Sequence, residues 1–216
     1  MGYPGSVMAS SAELELPSGR RAQETYRTLV RWTRRVISET GGFSGELVAE
    51  RSGMSPATFY TYFASKDAAL AAALDEVLGE LVDGTLRELR IERLLEDGLR
   101  RVVERAVAAA VGVFRESAIV MRLALARLPE SPAIRHVYRD HQARAVEELR
   151  RFVRLGVSAS RLSAESIEAT TSALLVTLQG LNNPMLLRGG RPDPAVKRMV
   201  DMIVHLLDPR GLSARA

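Results

Sequence analysis

The chain has 216 residues, enough for one large domain or for a small domain joined to a larger one. Hydrophobic residues make up 46% and charged residues 26%, the balance of a globular protein; the absence of cysteine excludes disulfides and thiolate metal sites and fits a reducing cytoplasm. Net charge is only +4, carried almost wholly by arginine, with lysine at Lys66 and Lys197 alone; no long apolar run marks a membrane span, and no basic start followed by an apolar stretch marks a secretory leader.

Residues 1–19 mix proline, glycine and serine without periodicity and read as a tail. From Arg20 onward alanine, leucine, arginine and glutamate dominate, all of which favour helix, and no alternating β-branched run is present. The first predicted helix covers 20–39. Tyr26, Leu29, Val30, Thr33, Val36 and Ile37 form its apolar stripe, and Gly41-Gly42 end it. A short helix follows over 45–51, with Ser44 placed to cap it, and another from Ser55-Pro56 to Phe63. Longer helices are predicted near 66–88, 91–115, 117–128, 132–157, 163–187 and 193–207, with Pro129, Pro132, Gly156, Gly189-Gly190, Pro192 and Pro194 marking boundaries. With no sheet to pack on, these helices must pack on one another, so the fold class is all-α.

The most informative stretch is LVAERSGMSPATFYTYFASK, residues 47–66. Leu47, Val48 and Ala49 form the buried side of a short helix, and Ala49 is small enough for a second helix to cross closely. Gly53 can take the positive φ that a tight interhelical turn needs. Ser55 can cap the next helix, with Pro56 in its first turn, where a missing N–H is harmless. Met54 and Phe59 hold the positions of a hydrophobic staple, and Phe59 and Phe63, four apart, face inward. Two short helices so joined make a helix-turn-helix. The second then leaves Pro56, Ala57, Thr58, Tyr60, Thr61 and Tyr62 partly or wholly outside. Two tyrosines on such a helix either pack against the long C-terminal helices or face a surface that accepts hydroxyls and aromatic edges. On the second alternative the threonine and phenols suit phosphates or bases, Pro56 or Ala57 suits a thymine methyl, and Lys66 suits a phosphate.

This stretch resembles the DNA-binding signature of the TetR family of regulators. The resemblance rests on Ala49-Glu50-Arg51, Gly53-Met54-Ser55, Thr58-Phe59-Tyr60-Thr61-Tyr62-Phe63 and Ser65-Lys66, without a gap. It covers about the first 75 residues; beyond them only helix number and order agree. It implies a three-helix DNA-binding head over 20–65 and a helical bundle over 66–216 that binds a ligand and dimerises. Thr58, Tyr60 and Lys66 are then expected to contact DNA, mostly phosphates, and Pro56 and Ala57 to approach base edges. With Tyr62 and the capping serines Ser44 and Ser55 they make up the expected DNA face. Tyr62 stands where histidine is usual, and the connection over 41–44 is shorter than usual. Glu46 falls where a basic or polar residue often helps to read bases; a carboxylate there repels phosphate unless it accepts from a cytosine amine.

Implied partners are a palindromic DNA operator, an unidentified small-molecule effector and a second copy of the chain, in a cytoplasmic repressor; no cofactor or metal is expected. Phe114, Met121 and Leu125, with Tyr138, are the candidate lining of an apolar effector cavity, though for any single one of them plain core is the better reading. Ile167, Leu174, Leu178, Leu181 and Met185 form one apolar repeat and Val196, Met199, Val200, Ile203, Val204 and Leu207 another. Each stripe either packs inward or, as the resemblance suggests, builds a four-helix dimer interface. His136 and His141 are too poorly spaced for a shared metal, and Arg122 reads as solvent-facing. No glutamate stands three residues before a histidine, and no phosphate loop, nucleophile elbow or HExxH motif is present, which argues against an enzyme. The competing reading is an interaction module with the same fold that no longer binds DNA.

Overall fold

A computed structural model describes residues 17–164, 166–186 and 194–209. The described residues form nine helices: α1 (Arg20–Thr40), α2 (Gly45–Ser52), α3 (Pro56–Tyr62), α4 (Lys66–Glu88), α5 (Ile91–Asp97), α6 (Leu99–Arg127), α7 (Pro132–Ser158), α8 (Ile167–Gly180) and α9 (Pro194–Leu207). No described residue lies in a strand. Most of the predicted N-terminal tail and the Gly189-Gly190 and Pro192 boundaries fall outside the described residues.

The first three helices enclose a small core of their own. Leu29, Val30 and Val36 from α1, Val48 and Ala49 from α2, and Phe59 with Phe63 are all buried there. Local chemistry sets the angles between the helices. Gly41 ends α1 in the left-handed conformation, at φ 79°, its N–H donating to Ile37. Gly53 does the same for α2 at φ 73°, and Met54 N–H reaches back to the Ala49 carbonyl at 2.9 Å. That six-to-one hydrogen bond closes the helix end, and only a residue free of Cβ crowding takes such a φ without strain.

Helix α4 belongs to both cores. Ala69 and Ala72 join the N-terminal cluster, while Leu70, Ala71, Ala73, Leu74 and Val77 face the larger cluster made with α6, α7, α8 and α9. Its run of alanines lets helices close in on both sides. Two ionic links reinforce these contacts. Arg34 of α1 grips Glu80 of α4 with both guanidinium nitrogens, at 2.6 and 2.8 Å, and reaches Glu76 at 3.2 Å. Arg127, at the end of α6, bonds Asp67 in the first turn of α4 at 3.2 and 3.3 Å.

The helix predicted over 163–187 is shorter, α8 covering only Ile167–Gly180, and two further details bear on the sequence-based expectation. Helices predicted over 91–115 and 117–128 are instead divided at Gly98, whose φ is +80°, and α6 then runs unbroken through position 116. Nothing at Glu116-Ser117 breaks a helix, and Ser117 is buried in its face. Second, the stripes on the last two helices point mainly into their own subunit: Leu174, Leu181, Val200, Ile203 and Leu207 are buried within the chain, Ile167, Leu178, Val196, Met199 and Val204 are half-buried, and Met185 is exposed. The outer faces carry other residues, Val176 at 66% exposure and Met202 at 62%.

Candidate functional site

Helix α3 is held by its buried side, so its other side is bare. Phe59 and Phe63 are fully buried, with ring centroids 5.2 Å apart, and Tyr26 of α1 closes on Phe63 at 5.4 Å. Burial pushes the Tyr26 phenol up to about 12, aided by the charges of Asp75 and Glu76. Gly45 admits this arrangement: a Cβ there would stand 2.7 Å from the Phe59 ring and 2.9 Å from the Tyr60 hydroxyl.

The structure brings the expected DNA-face residues to one end of the molecule with unequal exposure. Ser55, Pro56, Ala57, Tyr60 and Lys66 are exposed; Ser44, Thr58 and Tyr62 are half-buried. The serines act as caps, Ser44 accepting from the Leu47 N–H at 3.2 Å and Ser55 from the Thr58 N–H at 3.1 Å. The Thr58 hydroxyl lies 2.9 Å from that of Ser55. Tyr62 rests against the N-terminal core. Lys66 stands with its ammonium 5.4 Å from the centre of the Phe43 ring, a cation–π contact that keeps the charge at the surface. Thr61, which the expected face left out, is exposed as well, but its hydroxyl donates to the Ala57 carbonyl at 2.9 Å.

Glu46, a residue in doubt from sequence, has a partner. The Tyr60 hydroxyl donates to Glu46 Oε1 at 2.9 Å, joining α2 to α3 across the exposed face. The residue's own backbone N–H, the Tyr60 hydroxyl and Ser44 hold the Glu46 carboxyl below its ordinary value. The same bond holds the Tyr60 phenol above its own. The two are fourteen residues apart, and no local pattern in the sequence announces the pair.

A second feature lies in the body. Between α4, α6, α7 and α8 is a cavity of about 180 Å³, and Phe114, Met121, Leu125 and Tyr138 all line it. Leu78, Leu81, Val82 and Leu86 of α4 contribute one wall, and Leu175 and Leu178 of α8 another. No aspartate, glutamate, lysine or arginine lines it. Arg122 is exposed and outside the lining. His141 is inside it, its Nε2 2.7 Å from Asp75 Oδ1, while His136 pairs separately with Asp140 at 3.2 Å. Among the described residues no cluster of three or more His, Asp or Glu side chains is arranged to hold a metal, and no helix is long and apolar enough to cross a membrane.

Residues 31–73 match the family model described as bacterial regulatory proteins, tetR family. No curated protein is detectably similar in sequence. Solved structures with the same fold include a TetR transcription regulator from Haloarcula marismortui, at 17% identity and a TM-score of 0.70, with 86% of this chain and 97% of that one covered. Another is the TetR family transcriptional regulator PfmR of Thermus thermophilus, at 22% identity and 0.59, with 83% and 96% covered. A third comes from Saccharomonospora viridis, described as a transcriptional regulator in complex with choline, at 22% identity and 0.65, with 83% and 93% covered. The matched segment spans the end of α1, all of α2 and α3 and the first third of α4, which is the unit built around the bare helix. Residues 31–73 thus match the TetR family of bacterial regulatory proteins, and the described helices share the fold of solved TetR regulators.

Proposed function

We propose that the chain is a ligand-responsive repressor, acting in the cytoplasm as a homodimer that leaves a palindromic operator when a small molecule occupies the body. The observation that carries the reading is the outward face of α3: Pro56, Ala57 and Tyr60 stand bare, with Lys66 at the head of the next helix, while Phe59 and Phe63 anchor the other side. Small groups at the start of the helix permit close approach to base edges, the Lys66 ammonium suits a phosphate, and the Tyr60 hydroxyl suits one when it exchanges Glu46 for it. Thr58 and Tyr62, half-buried, serve at the margin of that face, and Ser44 and Ser55 fix the two helix starts beside it.

Dimerisation is supported by the outer surface of the last two helices. Val176 and Met202 are large apolar side chains more than half exposed in the single chain, with small Ala169 and Ala173 on the same side of α8. A second copy would cover them and set two α3 helices on successive turns of DNA, about 34–36 Å apart. Effector binding is supported by the cavity that Phe114, Met121, Leu125 and Tyr138 share with α4, the helix that Lys66 begins. Choline is bound by the Saccharomonospora viridis neighbour. The lining here offers no carboxylate and, for aromatic faces, only the rings of Phe114 and Tyr138 beside His141, which suits a quaternary ammonium poorly.

The test is salt-dependent binding of the purified protein to DNA upstream of its own gene. Lys66→Ala should weaken binding and lower the salt slope by about 1, the loss of one phosphate contact. Tyr60→Phe should weaken it about tenfold through one lost hydrogen bond to a charged group. Thermal unfolding of both variants should match that of the parent chain; unchanged DNA affinity in both would remove the assigned face. The Glu46 carboxylate on that face favours the alternative reading, a module of this fold that meets proteins and not DNA. That reading requires no salt-dependent DNA binding at all.

A further inference from the structure

We propose that the body cavity is built for a small, uncharged, largely hydrocarbon molecule bearing one hydroxyl group, which donates to His141 Nδ1. The inference rests on the reading of the body as an effector-binding unit and adds to it the class of molecule.

Size comes first. A cavity of about 180 Å³ is slightly larger than the roughly 150 Å³ hole that accepts a benzene ring in an engineered protein core, so it takes one substituted ring or a short alkyl chain of equal bulk. Charge comes next. No fixed charge lines the walls, and an ion of either sign would leave water without a counter-charge; the lining rejects both.

The polar atoms then set the chemistry. Among the described residues, Thr85 Oγ1 and His141 Nδ1 are buried without a hydrogen-bond partner, and both residues line the cavity. Buried polar atoms are normally paired, so each such orphan calls for an explanation. Thr85 is unusual within this chain. Thr25, Thr28, Thr33, Thr40, Thr61 and Thr177 all donate their hydroxyls to the carbonyl four residues earlier, and Thr85, which is only 7% exposed, does not. Its hydroxyl is thus left over by its own helix. Thr171 shares the trait but does not line the cavity.

His141 is oriented from behind. Asp75 Oδ1 lies 2.7 Å from Nε2, and in the tautomer that donates its Nε2–H to this carboxylate Nδ1 carries a lone pair. An acceptor in an apolar cavity selects a donor, and a hydroxyl is the donor that carries no charge. The remaining polar groups are neutral: Gln142, Asn182, and the Tyr138–Gln179 pair, whose hydroxyl and Nε2 lie 3.4 Å apart.

Four probes of similar bulk test this by calorimetric titration of the full-length protein: 4-ethylphenol, 4-ethyltoluene, 4-ethylbenzoate and phenyltrimethylammonium. The expected order is 4-ethylphenol tightest, about tenfold over 4-ethyltoluene, with the two ions undetectable. Thr85→Val and His141→Leu should each erode the preference of phenol over hydrocarbon and leave the affinity for 4-ethyltoluene within about twofold. If His141→Leu fails to fold, Thr85→Val and the ranking on the parent chain still decide. Equal affinity for phenol and hydrocarbon, tighter binding of either ion, or no binding of any probe overturns the proposal. A separate arm measures operator affinity with 4-ethylphenol present. Binding in the cavity without release of DNA leaves the ligand class standing and removes the effector reading, so the two failures are distinct.

Discussion

Gly45 begins α2, yet its importance comes from a residue on another helix. The Phe59 ring lies where the side chain of any other residue would begin, and because Phe59 is fully buried the ring has nowhere to retreat. Gly45→Ala should therefore lose about 1–3 kcal/mol to overpacking, more than the gain of at most about 1 kcal/mol in helix propensity. Urea unfolding measures the loss, and DNA binding should fall with it as α3 is pushed off its seat. Glu46 makes the opposite prediction. Its charge faces the surface where phosphates would lie, so Glu46→Gln should raise affinity for DNA of random sequence about fivefold and narrow the margin over operator. Titration of both DNAs at one salt concentration decides it; a loss of affinity confined to sites with one particular cytosine would instead make Glu46 a reader of that base. The sequence displayed Gly53, both capping serines and the two inward phenylalanines, because each acts within a few residues of itself. It did not display Gly45 against Phe59 or Glu46 against Tyr60, because those meetings exist only once α2 and α3 have crossed.

Among the elements, the three-helix head was the most legible: α2 and α3 start on capping serines, α1 and α2 end on glycines, and the structure moves its boundaries by no more than a residue or so. The body was less so. Gly98 divides α5 from α6, and its signal, a lone glycine after an aspartate, was outweighed by the apolar periodicity on either side. The stripes of α8 and α9 were visible, but period alone does not say whether a stripe faces its own chain or a second one. The candidate cavity was legible in its apolar part and not in its polar part: His141 draws its meaning from Asp75, sixty-six residues away. Packing within the head also has a pH signature. The Tyr26 phenol ionises near its ordinary 10.0 in the unfolded chain and near about 12 in the folded one. Between these values the unfolded chain has lost a proton that the folded chain keeps, so stability falls as pH rises through that window. Between pH 9 and pH 11 the loss should be about 1 kcal/mol, scaled down for the ring's partial exposure. Urea midpoints at pH 9 and pH 11 measure it; Tyr26→Phe should lose less than the parent by that amount.

For the whole molecule the surface on which the proposed dimer depends is the outer side of α8 and α9. Val176 is already exposed in the single chain, so Val176→Arg should leave the subunit folded. Across a two-fold axis it would set two guanidinium groups near each other. Sedimentation equilibrium should then find a monomer, and operator affinity should drop steeply as one head alone must hold the DNA. A variant that remains dimeric would put the interface elsewhere. Arg34 adds a mechanical consequence. Its fork on Glu80, with Glu76 beside it, locks α1 to the middle of α4, so the three N-terminal helices travel with that rod as one piece. Twenty-three residues make α4 about 35 Å long, with the cavity wall toward its C-terminal half and Lys66 at its first residue. A tilt of about 5° along such a rod carries its tip about 3 Å, comparable to the full length of a hydrogen bond. On the proposed reading the clamp makes α4 a lever: a displacement too small to open the cavity would be enough to lift α3 out of register with a groove.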